Sequence, residues 1–143
     1  MTDIKSLLPH REPFLYVDEL ETISDERIVA YRTYKEDEYF FKGHFPEYPV
    51  VPGVILVETM AQAGGAGVRA LGKLGDDALF FLATVDKAKF RRQVRPNDKV
   101  KLVIDNIRIS ARMIKQAGKA YVGDELAAEA EWLCLVGDAP IEK

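Results

Sequence analysis

The chain has few of the residues that metal, disulfide and nucleophile chemistry require. One cysteine and two histidines among 143 residues rule out an intrachain disulfide and a Cys/His zinc cluster. There is no Gly-x-Gly-x-x-Gly motif and no phosphate-binding Gly-Lys-Ser/Thr loop. Ser6, Ser24 and Ser110 lack the flanking residues of a nucleophile elbow. We therefore expect neither a metal nor another cofactor.

Long apolar runs and a strong net charge are also missing. No run approaches the roughly 18 apolar residues that span a bilayer, and the first eight residues are short and mixed in charge, unlike a signal peptide. The net charge of −3 gives no reason to expect nucleic acid or an anionic membrane as partner. Composition is that of a folded domain, so we expect a soluble cytoplasmic protein with one domain over 1–143.

Pro, Gly and the hydrophobic periodicity predict one long helix among several strands. The helix runs from 53 to about 71, with Pro52 at its first position, after a loop over 40–53 that is rich in apolar residues. In one long strand from about residue 100 the apolar positions change parity near Asp105 and Asn106, which predicts a bulge or a sharp bend. The other predicted elements are a helix over 2–8 capped by Thr2 or Asp3, strands over 14–20, 27–34, 79–85 and 88–94, and a hairpin joining 119–122 to 126–136.

This order predicts an α+β architecture in which a curved antiparallel sheet wraps one hydrophobic helix. The helix is apolar almost all round, apart from a stripe of Glu58, Gln62, Gly65 and Arg69 at a 4-3-4 spacing. Such a helix is more apolar than one sheet face requires, so we expect a second subunit to cover part of it or of the sheet edge. Its weakly helical glycines predict close approach of a neighbouring backbone.

The candidate chemistry consists of a base, an acid and an oxyanion donor. His44 lies among apolar side chains that favour an uncharged ring, although a lone histidine is more often structural. Glu58 lies inside a buried helix, where it either pairs with a basic residue or acts as an acid whose pKa is raised by desolvation. The N–H of Gly53, at the helix start, can stabilise an oxyanion. The set suits removal of an α-proton beside a carbonyl with loss of a β-hydroxyl. His10 is interpreted as structural.

Basic residues are concentrated in one short stretch of the chain. The stretch is either a solvated strand face or a docking surface for an acidic partner. Cys134 falls in an apolar strand pattern and is expected to be buried. The basic residues expected to dock are Lys87, Lys89, Arg91, Arg92 and Arg95.

The chain resembles the bacterial 3-hydroxyacyl-[acyl-carrier-protein] dehydratases of the FabZ kind. The most specific block is Gly43-His44-Phe45-Pro46 followed by Pro52-Gly53-Val54 and, after three residues, Glu58. The resemblance extends over nearly the whole chain, through segments 7–15, 17–18, 40–62, 83–91 and 96–98.

The resemblance implies a hot-dog fold and a homodimer, usually assembled as a trimer of dimers. It implies that His44 and Glu58 work together across the dimer interface, and that the Gly53 N–H binds the thioester carbonyl. The implied reaction converts (3R)-3-hydroxyacyl-[acyl-carrier-protein] to the trans-2-enoyl product in type II fatty-acid synthesis. Candidate walls of the acyl tunnel are Phe45, Val51, Leu56, Met60 and Phe81.

Departures from the family pattern and rival functions accompany this resemblance. Gln93 stands where proline is common, Thr59 where alanine is usual, and Phe81 near the position of a gating tyrosine. The related FabA-type dehydratase–isomerases carry aspartate and tryptophan where this chain has Glu58 and Ala61, which favours simple dehydration. A hot-dog thioesterase, a non-catalytic acyl-binding homologue and a dehydratase of a polyketide or other dedicated pathway remain alternatives.

Overall fold

A computed structural model describes residues 3–75 and 77–138. The elements in chain order are a short helix α1, two strands, a 3-10 turn at Tyr39–Lys42, a long helix α2 and four more strands. Asp3 caps α1 through its side chain, as predicted, whereas Thr2 lies outside the described residues. The bounds are α1 Ile4–Leu7, β1 Glu19–Ile23, β2 Arg27–Thr33, α2 Gly53–Ala70, β3 Ala78–Phe90, β4 Lys99–Ile109, β5 Met113–Val122 and β6 Glu125–Asp138.

Six antiparallel strands form one sheet in the order β1-β2-β4-β5-β6-β3. Helix α2 contacts all six strands, and thirteen of its eighteen residues are buried. The inward positions of the strands alternate with exposed ones, as on β5, where Ile114, Gln116, Gly118 and Ala120 are buried. The predicted α+β architecture of a helix wrapped by a curved sheet is confirmed.

The predicted change of parity in the long strand is confirmed as a bulge. The β4–β5 register shifts between Asn106 and Arg108. After this one-residue shift Ile109 packs against the core opposite Ile114, whereas Ile107, inside the bulge, is 51% exposed. The predicted hairpin between β5 and β6 is also present, with Gly123 at a φ of 60°.

Two strand predictions are wrong in their bounds. Segment 14–18 is not strand, because the Tyr16 N–H donates to Oε1 of Gln62 instead of to a neighbouring strand, and β1 starts only at Glu19. The strands expected at 79–85 and 88–94 are one strand, β3. Bulges after Leu82 and after Asp86 shift the pairing of β3 with β6, but the strand continues through both. The shifts break the alternation of apolar residues, so the sequence pattern looks like that of two strands.

The glycines of α2 make room for side chains, not for the neighbouring backbone predicted. A Cβ at Gly64 would collide with Gln116, and one at Gly65 with the ring of Phe80. Pro52 is the N-cap of α2 and not its first helical residue. These close contacts offset the low helix propensity of glycine by bringing the sheet onto the helix.

Strand β3 lies at one edge of the sheet and is exposed from residue 81 to residue 90. Four of these exposed side chains are large and apolar: Phe81, Leu82, Val85 and Phe90. A long apolar edge strand is an uncommon surface for a monomer. Separately, no helix in the described part of the chain is long and apolar enough to cross a membrane.

Candidate active site

His44 lies in the loop between the 3-10 turn and α2, and its ring orientation is fixed by one hydrogen bond. Nδ1 is 2.9 Å from the carbonyl oxygen of Val50. Because a carbonyl only accepts, the unprotonated ring carries its hydrogen on Nδ1 and its lone pair on Nε2. The next residue, Phe45, has a φ of 66°, a strained value for a bulky side chain. The loop therefore presents His44 with Nε2 able to accept a proton.

Glu58 lies in the second turn of α2 at a partly buried position. Burial raises the pKa of its carboxyl group, and the hydrogen bond from Gln62 opposes this shift. The Nε2 of Gln62 lies 3.0 Å from Oε2 of Glu58. No hydrogen bond or ion pair joins Glu58 to Arg69 among the described residues, in agreement with their separation along the helix. A carboxyl group with a raised pKa can hold and donate a proton closer to neutral pH.

Gln62 connects Glu58 to the N-terminal segment, and this role was not predicted. It is completely buried. Its Nε2 also donates to the carbonyl oxygen of Phe14 at 2.9 Å, and its Oε1 accepts from the N–H of Tyr16 at 2.9 Å. The sequence signal that could have indicated this contact is the position of Gln62 four residues, about one helical turn, after Glu58. Its partners are Glu58, one turn earlier in the helix, and Phe14 and Tyr16 of the N-terminal segment. Gln62 therefore holds both the carboxyl group of Glu58 and that segment in place.

His10 is the side chain that lies beside Glu58 in the same chain. Its Nε2 is 3.7 Å from Oε2 of Glu58, which is longer than a hydrogen bond. Burial, with a smaller contribution from Arg11, lowers the pKa of His10. The contact at neutral pH is therefore between a carboxyl group and an uncharged ring and is not an ion pair. The interpretation of His10 as purely structural missed this contact.

The predicted base and acid do not contact each other within one chain. No hydrogen bond or ion pair joins His44 to Glu58 in the described ranges. His44 binds the loop carbonyl of Val50, whereas Glu58 faces Gln62 and His10. A reaction that uses both groups at one substrate therefore requires a contact between chains or a substrate that spans them.

The first turn of α2 presents free backbone donors. Pro52 supplies no side-chain cap, and the N–H groups of Gly53 and Val54 have no partner among the described residues. A Cβ on Gly53 would lie 2.8 Å from the ring of Phe90, so a larger residue there would require that half-exposed ring to move. Unpaired N–H groups at the positive end of a helix can stabilise a developing negative charge.

An apolar groove of about 560 Å³ opens beside this helix start. Val51 and Leu56, two of the predicted tunnel walls, line it. Val50 lines the groove and its carbonyl oxygen binds the ring of His44, but His44 itself does not line the groove. The other lining residues, which the sequence did not single out as walls, are Val50, Gly53, Val54, Phe90, Arg91, Arg92, Gln93 and Val94.

The other three predicted walls lie outside this groove. Phe45 is 56% exposed and stacks near His44, with ring centroids 4.3 Å apart. Met60 is completely buried, and its sulfur lies beside Gly118 on β5. Phe81 is 55% exposed on the β3 edge and pairs in register with Leu135. Their roles as walls remain predictions that concern an assembled protein.

The basic stretch is largely matched by acids of the same chain. Arg91 binds Glu129 at 2.7 Å and Lys87 lies 3.5 Å from Glu131, while Arg92 contacts Glu125 and Asp98 at 3.3 and 3.9 Å. Lys89 is exposed and has no ion pair within the described residues. Arg95 contacts the His44 loop instead of a carboxylate on another strand. The surface is therefore less positive than the sequence suggests.

Solved structures with the same fold include several of unrelated sequence. A chain of a dehydratase heterocomplex from Xenorhabdus doucetiae matches with a TM-score of 0.81 and 17% identity, covering 96% of this chain and 93% of that one. An uncharacterized protein from Pyrococcus horikoshii matches at 0.68 and 14% identity, covering 97% of both. The likeness confirms the hot-dog fold.

Sequence comparison gives the family. A FabA-like domain matches residues 8–131. FabZ 3-hydroxyacyl-[acyl-carrier-protein] dehydratases are similar over nearly full length: that of Clostridium kluyveri is 43% identical over 95% of this chain and 94% of its own, and that of Koribacter versatilis 45% over 98% and 90%. The chain belongs to the FabA-like family, on the branch of the FabZ dehydratases.

Proposed function

We propose that this protein is a hydro-lyase that dehydrates (3R)-3-hydroxyacyl-[acyl-carrier-protein] to the trans-2-enoyl thioester in type II fatty-acid biosynthesis. The strongest support is a carboxyl group with a raised pKa, Glu58, in a chain 43% identical to a FabZ dehydratase. A raised pKa suits a group that must give a proton to a leaving hydroxyl. A cytoplasmic location remains a prediction.

In the proposed mechanism His44 removes the C2 proton with Nε2, and Glu58 protonates or orients the leaving 3-hydroxyl. The Gly53 N–H stabilises the enolate-like oxygen of the thioester. Expulsion of water leaves the C2–C3 double bond, and the proton taken by His44 balances the one given by Glu58. The groove lined by Val51 and Leu56 is the proposed start of the acyl tunnel, which Phe45, Met60 and Phe81 extend in the assembly.

We also propose that the active unit is a homodimer formed through β3. Its exposed apolar residues are the surface that a second copy would cover. The separation of His44 from Glu58 within one chain is then resolved, because each site takes His44 from one subunit and Glu58 from the other. Three such dimers give the predicted hexamer.

The proposed docking surface for the carrier protein lies beside the groove on the chain's basic stretch. Arg91 and Arg92 line the groove, and Lys87, Lys89 and Arg95 were predicted with them. An acidic carrier would compete with Glu131, Glu129 and Glu125 for Lys87, Arg91 and Arg92. Arg91→Glu should weaken carrier binding at low salt and less at high salt. An unchanged titration would contradict docking through Arg91.

The reaction is tested with purified protein and 3-hydroxyacyl carrier substrates of several chain lengths, by recording enoyl formation and the position of the double bond. A thioesterase would release free thiol, which a thiol-reactive dye detects, and a binding homologue would retain the substrate unchanged. The chain-length profile also separates fatty-acid synthesis from polyketide or other dedicated pathways. Absence of enoyl product at every length would overturn the proposal.

The shared site is tested by mixing two inactive variants, His44→Ala and Glu58→Gln. A mixed dimer has one intact site and one site lacking both groups, so random mixing should restore about one quarter of wild-type activity. If both groups act within one subunit, mixing restores nothing. Dimerisation itself is measured by light scattering, with Leu82→Glu on β3 as the variant expected to weaken it.

A further inference from the structure

The segment that carries His44 has no regular structure of its own between the 3-10 turn and α2. This segment binds the His44 ring through the carbonyl oxygen of Val50, which lies 2.9 Å from Nδ1. The position of that carbonyl depends on the contacts of residues 48–51. Those contacts are made with residues 93–95, which follow strand β3.

Four hydrogen-bonded or stacked contacts join the two segments. Val51 donates its N–H to the carbonyl oxygen of Val94 at 2.8 Å. The hydroxyl of Tyr48 donates to Oε1 of Gln93 at 2.9 Å. The Nε–H of Arg95 donates to the carbonyl oxygen of Pro49 at 2.7 Å, and its guanidinium carbon lies 3.9 Å from the centre of the Tyr48 ring. We call Tyr48, Pro49, Gln93 and Arg95 the clasp.

Arg95 is the central residue of the clasp. Its side chain contacts two consecutive loop residues, Tyr48 and Pro49, and its own N–H donates to Oδ2 of Asp98 at 2.9 Å. The Pro49 carbonyl that Arg95 binds is followed along the chain by the Val50 carbonyl, which binds His44. Fixing one carbonyl restricts the orientation of the next, because only two backbone dihedrals separate successive peptide planes. Arg95 therefore acts on His44 through one intervening residue.

This geometry differs from that of the other basic residues near the groove. Arg91 points to Glu129, and its side chain is 47% exposed. Arg95 is partly buried and directed onto the loop. Its Nε and one face of its guanidinium are occupied by the loop, which leaves only the two Nη groups for an approaching carboxylate.

We infer that Arg95 is a positioning residue for His44, acting through the Pro49–Val50 peptide, and that Tyr48 and Gln93 complete the clasp. The expected loss of kcat rests on the proposed function, whereas the expected change in the orientation and tautomer of His44 does not. The inference replaces the docking role predicted for Arg95. It also gives a role to Gln93, which stands where the family pattern has proline. The side chain of Gln93 accepts a hydrogen bond from Tyr48, which proline could not do.

Two substitutions of similar length to each other separate hydrogen bonding from charge. Arg95→Gln places an amide nitrogen where Nε stands and removes the charge, whereas Arg95→Met removes both donor and charge. With a carrier-free substrate, the N-acetylcysteamine thioester of 3-hydroxybutyrate, Arg95→Met should lower kcat about fivefold to tenfold with little change in KM. Arg95→Gln should recover about half of the wild-type kcat. Lys115→Gln, an exposed lysine elsewhere, controls for charge.

A docking role gives the opposite pattern. Both Arg95 variants would then raise KM for carrier-linked substrate alone and leave kcat on the carrier-free thioester at the wild-type value. That result would overturn the inference. If Arg95→Met fails to fold, Tyr48→Leu removes the stacking surface and the hydroxyl and should lower kcat in the same way.

The tautomer of His44 provides a readout independent of turnover. Long-range ¹H–¹⁵N spectra should show the Nδ1–H form of His44 in the wild type and a mixture of tautomers in Arg95→Met. The chain contains only two histidines, so a His10→Asn variant assigns the signals. Unchanged Nδ1–H signals in Arg95→Met would overturn the clasp, even if the wild type proved inactive as a dehydratase.

Discussion

His44 and Glu58, the proposed base and acid, are held by very different parts of the molecule. His44 depends on a loop whose position is fixed by hydrogen bonds to another loop. Glu58 depends on a helix that is buried by the whole sheet. The loop sets the orientation and tautomer of the base, whereas the interior sets the proton affinity of the acid through desolvation.

The difference predicts different costs for changes on the two sides. Loop substitutions should reduce turnover with little loss of stability, because few buried contacts depend on them. Helix substitutions should change turnover and stability together, because each polar group there was desolvated on folding. The following four variants test this contrast.

His44→Ala should have the largest effect on turnover. Loss of the base should reduce kcat by about 10²–10⁴-fold, while the thermal midpoint changes little. Enoyl formation and a melting curve check both expectations. Glu47→Gln, an exposed change in the same loop, should retain activity. A kcat for His44→Ala within a few-fold of wild type would remove His44 from the mechanism.

Glu58→Gln should lower kcat by about 10²-fold or more and, unlike His44→Ala, stabilise the fold at neutral pH. A carboxyl whose folded pKa is raised contributes most to stability when protonated, and this contribution is lost as the pH rises through the raised pKa. The stability gained by the variant should therefore be absent below the ordinary pKa of 4.5 and reach its full size above the raised value.

Urea unfolding of the wild type and Glu58→Gln from pH 4 to pH 8 measures this difference. His10 contributes in the opposite direction, because its pKa is lowered and its contribution to stability is lost as the pH falls from the ordinary value of 6.5 through the lowered one. Because His10 lies 3.7 Å from Glu58, the two contributions are coupled, and both proteins are therefore also measured with His10→Asn. A difference that does not grow with pH would show that Glu58 is not desolvated as described.

Gln62→Leu should destabilise the protein by about 2–3 kcal/mol, because the buried N–H of Tyr16 and carbonyl of Phe14 lose their partner. It should also raise the pKa of Glu58 further, since the Gln62 hydrogen bond lowers it. The pH profile of turnover reports this shift. Loss of stability without any change in that profile would limit Gln62 to a structural role.

Thr59→Ala should have the smallest effect, a loss of about 1 kcal/mol. The Thr59 hydroxyl donates to the Ile55 carbonyl at 2.7 Å and lies 2.6 Å from the Tyr34 hydroxyl. The double variant with Tyr34→Phe should be less destabilised than the sum of the single variants, because both buried partners are then removed. Strict additivity would show that the contact contributes nothing.

Features with a local cause could be predicted from the sequence. The bulge near Asn106 follows from a reversal of inward parity in one strand, and the β5–β6 hairpin from Gly123. The helix from Gly53 follows from Pro52 and the apolar run after it. Local patterns failed at segment 14–18, which resembles a strand but bonds to the side chain of Gln62.

Features that depend on the surroundings could not be predicted. The contact of Met60 with Gly118 on β5 depends on the register of α2 against the sheet. Phe90 covers Gly53 from a strand that is distant in sequence. The charge balance of the basic stretch could not be predicted, because the acids that pair with Lys87, Arg91 and Arg92 lie on the next strand of the sheet, β6.

The sequence by itself determined the chemical groups of this protein and the class of fold that presents them. His44, Glu58 and Gly53 are recognisable because loop, helix and helix start are encoded by neighbouring residues. Only the tertiary structure decided how those groups are tuned: burial that raises the pKa of Glu58, the carbonyl that fixes the His44 ring, and the clasp that turns Arg95 inward. Burial and long-range hydrogen bonds depend on residues brought together by folding, and no local pattern records them.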